Sequence, residues 1–95
     1  MFVQIVIFKL KPEASRELFT QLTRQMIAWL KIREGFVAYE LYEGAECWSD
    51  RLVWSNKSYA EEGLKDFLLT DVSRKILSLV DDDYNSFMGQ EVIAS

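Results

Sequence analysis

The chain has 95 residues, 49% of them hydrophobic and 14% aromatic, a net charge of −4 and no histidine. Acidic residues outnumber Lys and Arg, 15 to 11, and the cations are scattered rather than gathered on one stripe, which argues against a nucleic-acid partner. Without histidine the chain cannot build a Ser-His-Asp or Cys-His centre and lacks the commonest zinc and haem ligands.

At this length a single domain over residues 1–95 is expected, and alone it would remove only roughly 60–65% of its unfolded surface from water. The single Cys47 can form no internal disulfide and reads as a small apolar strand residue. No apolar run approaches the roughly 20 residues that cross a bilayer, and no charged-then-apolar leader precedes Phe2. The expectation is a cytoplasmic protein with no membrane association, no cofactor and no metal.

The first predicted strand, Phe2 to Leu10, is apolar on both faces: Val3, Ile5 and Ile7 point one way, Phe2, Val6, Phe8 and Leu10 the other. The chain's own helices can cover one face, so the other calls for a second copy. Lys11-Pro12-Glu13 ends this strand, and Pro12 suits the opening turn of a helix, with Glu13 and Glu17 near its positive end. Leu18, Phe19, Leu22, Met26, Trp29 and Leu30 give that helix its apolar stripe. After Gly35, Phe36 to Glu43 reads as a second strand, Gly44-Ala45-Glu46 as a turn, and Cys47 to Trp54 as a third strand with Trp48, Asp50, Leu52 and Trp54 on one face.

A second helix is expected from Ser58, whose spacing to Glu61 is that of a capping box, with Ala60, Leu64, Phe67 and Leu68 as its stripe. Thr70-Asp71 reads as a fresh N-cap for a short helix that stops at Asp81-Asp82-Asp83, a solvated acidic run whose consecutive carboxylates do not converge on a metal. Tyr84 to Ile93 is the last strand, weakened by Gly89. The order strand, helix, strand, strand, helix, strand is the α+β, ferredoxin-like βαββαβ arrangement, a four-stranded antiparallel sheet with helices on one face. Two such sheets meeting through their helix-free faces would make a homodimer.

Lys11-Pro12-Glu13-Ala14, Glu34-Gly35-Phe36 and Leu52-Val53-Trp54-Ser55, at these places in the pattern, resemble the dimeric α/β-barrel proteins and, within them, the antibiotic biosynthesis monooxygenase-like group. The resemblance implies a pocket between sheet and helices and either cofactor-independent oxygenation of aromatic or quinol-type molecules or haem breakdown. Trp54 matches the strand-three Trp that lines the pocket in haem-degrading members, but the strand-one Asn is missing, and Ile76 or Leu77 stands where the haem-ligating His would be. Haem chemistry is therefore not expected.

Oxygenation without a cofactor needs a base, an apolar pocket and donors that stabilise a substrate anion. Asp50 is the candidate base, Asn56 and Tyr59 the candidate donors, and Trp48, Trp54 and Tyr39 the candidate walls for an aromatic ligand. Each also has a structural reading: Trp54 as core, Asp50 as an ion-pair partner of Arg51, Asn56 as the shaper of a turn, Tyr39 as packing. A non-catalytic homodimeric small-molecule-binding or accessory protein on the same scaffold is the alternative.

Overall fold

A computed structural model describes residues 1–95. Strand β1 (Phe2–Phe8) leads to helix α1 (Arg16–Lys31), the hairpin β2 (Phe36–Glu43) and β3 (Trp48–Trp54), helices α2 (Lys57–Phe67) and α3 (Asp71–Leu79), and strand β4 (Asn85–Gln90). The strands form one antiparallel sheet in the order β2-β3-β1-β4, the ferredoxin-like topology.

Helix starts follow the side chain that can cap them. Pro12 and Glu13 lie in a turn closed by Ala14 N–H on the Lys11 carbonyl, and α1 begins only after Ser15, whose hydroxyl accepts from the Leu18 N–H at 3.1 Å. Glu17 is thus in the first turn and Glu13 is not. The α2 cap is Asn56 rather than Ser58: its side-chain oxygen accepts from Tyr59 N–H at 3.0 Å, so the helix opens at Lys57. Thr70 caps α3 as the sequence suggests, accepting from Ser73 N–H at 3.1 Å.

Strand ends also differ from expectation: β1 stops at Phe8, and Leu10 makes only an isolated antiparallel bridge to Val80. Cys47 belongs to the hairpin turn, its carbonyl accepting from Gly44 N–H, and the strand starts at Trp48 opposite Glu43. β4 stops at Gln90, short of Ile93, because its partner strand runs out: Gln90 pairs with Phe2, Glu91 N–H still reaches the Met1 carbonyl at 2.9 Å, and the structure holds no residue beyond Met1 to continue the ladder. Gly35, with φ +87°, makes the turn into β2; a side chain there would be strained by its backbone and would collide with the Tyr59 ring.

All helices cover the same face of the sheet, and the core beneath them falls into two clusters. Phe2, Leu30, Trp54 and Ala60 pack at one end. Phe8, Phe19, Trp48 and Val80 pack at the other, with Trp48 stacked on Phe8 and edge-on to Phe19 at 5.2 Å. β1 and β3 run through both clusters, so their residues in between on the helix-facing side, Gln4 and Val6 on β1 and Asp50 and Leu52 on β3, lie across the middle of the layer. The opposite sheet face carries no helix: Ile7, Tyr42 and Phe87 are exposed on it, beside the Arg51–Glu40 ion pair.

Candidate functional site

Between the two clusters the sheet and helices do not close. They leave a cavity of about 330 Å³, lined mainly by apolar side chains from β1, α1, α2 and α3. A few polar residues interrupt that lining: Gln4, Tyr39 and Asp50 from the sheet, Thr23 from α1, Ser73 from α3 and Ser86 from β4. No Lys or Arg reaches it. A largely apolar cavity of this size with few polar groups is the usual form of a small-molecule site.

The best-defined polar contact is the hydrogen bond from the Tyr39 hydroxyl to Asp50 Oδ2, at 2.9 Å. A bulge at Val37 in β2 makes it: skipping one residue restores the alternation so that Phe36, Tyr39 and Leu41 face the helices with Asp50. Burial pushes the Asp50 carboxyl above its ordinary range, opposed by the hydrogen bonds from Tyr39 and from the Val6 backbone. Burial, and next the neighbouring carboxylate, hold the Tyr39 proton far more tightly than usual. In this pair, therefore, the phenol keeps its proton and the carboxylate is the group that can take one. Arg51, considered as a partner for Asp50, instead bonds Glu40 at 2.7 Å on the opposite face of the sheet.

Of the candidate residues, Tyr39, Asp50 and Trp54 come together on this cavity. The other three lie elsewhere. Trp48 shares their face but is packed into the far cluster beneath the Arg16 guanidinium. Asn56 uses its side chain to cap α2. The Tyr59 ring packs over Gly35 against the Phe2 cluster, outside the cavity lining, and its hydroxyl donates to Glu34 at 3.1 Å.

Gln4, Thr23 and Ser73 were not singled out from sequence. Gln4 carried a signal, as the single polar residue within the apolar run Phe2 to Phe8. Thr23 and Ser73 carried none, since a small hydroxyl on an amphipathic helix is ordinary until packing shows where it points.

Trp54 is 1% exposed and has two roles. It belongs to the Phe2 cluster and it also forms a wall of the cavity. Its ring lies against Gly63 of α2, where a Cβ would overlap the indole carbons Cη2 and Cζ2. The indole thus takes the space into which a side chain at position 63 would project. No cluster of His, Cys, Asp or Glu able to hold a metal ion occurs in the structure, and no helix is long and apolar enough to cross a membrane.

No family model and no curated protein sequence matches the chain. Solved structures do. The cofactor-independent oxygenase SnoaB of Streptomyces nogalater superposes with a TM-score of 0.77 over 99% of this chain and 97% of its own, at 14% identity. Rv0793 of Mycobacterium tuberculosis gives 0.81 over 99% and 97%, at 17% identity. A protein described as an antibiotic biosynthesis monooxygenase gives 0.73 over 98% of this chain and all of its own, also at 17% identity. The chain has the ferredoxin-like fold of the antibiotic biosynthesis monooxygenase-like proteins from end to end.

Proposed function

We propose that this protein is a small cofactor-independent oxygenase of aromatic, quinol-type molecules, with Asp50 as the general base. The observation that carries the reading is a carboxylate with a raised proton affinity on an otherwise apolar cavity large enough for a small aromatic molecule. The shared fold with an oxygenase that needs no cofactor supports it.

For a phenolic or enolised substrate, Asp50 takes the hydroxyl proton and the substrate becomes an enolate. The site holds one negative charge before and after this transfer, so the apolar walls do not oppose it as they would oppose the entry of a second anion. The enolate passes one electron to O₂, and the two radicals join as a carbon-bound peroxide that takes the proton back from Asp50. Loss of water from this hydroperoxide leaves a carbonyl: one oxygen atom stays in the product and the other leaves as water. Tyr39 holds the carboxylate in place through its 2.9 Å hydrogen bond, and Trp54 supplies an aromatic wall.

Anthrone is a suitable probe for this chemistry. The expected result is uptake of one O₂ per anthrone converted to anthraquinone, without release of hydrogen peroxide, at a rate well above that in buffer. Binding of anthrone with no such acceleration would contradict the oxygenase reading and leave a non-catalytic binding protein.

We further propose that the working form is a homodimer joined through the helix-free sheet face and located in the cytoplasm, where the unpaired Cys47 stays reduced. Ile7, Tyr42 and Phe87 are about half exposed there, around the row Val3 and Ile5, and an obligate interface of well over about 1,000 Å² would bury them. Sedimentation at micromolar concentration should give about twice the 11.1 kDa chain mass; a monomer would contradict the interface.

A further inference from the structure

The lining of the cavity holds three buried polar atoms that bond to nothing in the protein: Gln4 Oε1, Trp54 Nε1 and Ser73 Oγ. They come from three separate elements, β1, β3 and α3, and all three residues line the same space. Trp54 and Ser73 are each only 1% exposed. An unbonded buried donor or acceptor costs stability, so native interiors hold few of them. Here the only three buried side-chain atoms without a partner all belong to residues of one cavity.

We propose that Gln4, Trp54 and Ser73 are the ligand-reading residues of this cavity. They fit an uncharged, largely apolar molecule with an oxygen acceptor for the Trp54 N–H and the Ser73 hydroxyl, and a separate hydroxyl donor for the Gln4 side-chain oxygen. The donor inventory supports this pattern: an indole N–H can only donate, a hydroxyl can do either, and the Gln4 amide has its oxygen, an acceptor, as the buried unbonded end. The ligand is uncharged because no cation lines the cavity to compensate an anion, which would also face Asp50. The inference rests on the cavity being the binding site and adds which side chains discriminate among molecules that fit it.

Three probes of one size separate the contributions: tetralin, which is purely apolar; a hydroxytetralone with ketone and phenol at opposite ends; and a tetralin carboxylate. Calorimetric affinities should place the hydroxytetralone roughly ten-fold or more above tetralin, with the carboxylate weakest. Ser73→Ala and Gln4→Met should each cut that preference severalfold while leaving tetralin binding unchanged. Both should also raise the melting temperature of the ligand-free protein, because each removes an unbonded buried group; a hydroxyl with a purely structural role would lower it when lost. Equal affinities for tetralin and the hydroxytetralone, an unchanged preference in both variants, or a carboxylate that binds as tightly as the ketone would each overturn the assignment while leaving the cavity as the binding site. Failure of all three probes to bind the wild-type protein would remove the cavity reading and this assignment together.

Discussion

Replacing Asp50 with Asn lowers oxygen uptake with anthrone by roughly 10²–10⁴-fold, the span that a positioned general base contributes. Asn keeps the shape of the side chain, and its amide oxygen can still accept from the Tyr39 hydroxyl that now donates to Oδ2 at 2.9 Å, but it cannot take a proton from the substrate. The effect on stability should run the other way. An ionised Asp50 is penalised by burial, so the neutral amide should leave the protein as stable at neutral pH or more so. Loss of turnover with an unchanged or higher melting temperature would support the base assignment. Unchanged turnover, or turnover lost only in step with unfolding, would remove it.

The largest expected loss of stability is at Trp54. Truncation to Ala removes a fully buried indole from the Phe2, Leu30 and Ala60 cluster, a change that costs about 3–5 kcal/mol, and for a domain of this size that should lower the melting temperature by more than about 10 °C. Trp54→Phe keeps an aromatic wall but leaves space over Gly63, against which the indole now rests. It should cost much less stability and also lose the preference for the hydroxytetralone, because the indole N–H is gone. A Trp54→Ala protein that melts with the wild type would show that the residue is not the shared wall of core and cavity. A Trp54→Phe protein with its preference intact would show that the indole N–H reads nothing.

Much of this fold is written in alternation. The two-sided apolar pattern of Phe2 to Phe8 and the row Trp48, Asp50, Leu52, Trp54 on β3 follow from the period of two along a strand. That period also placed Asp50 and Trp54 on one face before any packing was known. It does not give distance along the strand: at about 3.3 Å per residue, Trp48 ends up roughly 20 Å from Trp54, at the opposite end of the helix layer. Asn56 and Tyr59 follow Trp54 directly, which makes them look like neighbours of the site. The turn from strand to helix directs them away, because Asn56 must cap α2 and the Tyr59 ring lies across Gly35. Ser73 was illegible for a different reason. Its place on the cavity depends on how α3 packs over α1 and the sheet, and no local pattern in Asp71–Leu79 encodes that.

The oxygenase reading requires the cavity to set a carboxylate of raised proton affinity against the ligand, and the titration of Asp50 shows whether it does. Following the Asp50 carboxyl carbon by NMR from acid to neutral pH should give a midpoint above the ordinary carboxylate value of about 4, shifted further when the hydroxytetralone is bound. Because the folded state then holds the proton more tightly than the unfolded chain, the Asp50 contribution to stability should be fully present below that ordinary value and be lost as pH rises through the raised midpoint. A midpoint at or below about 4, unmoved by the ligand, would show that burial does not raise the Asp50 proton affinity and would remove it as the base.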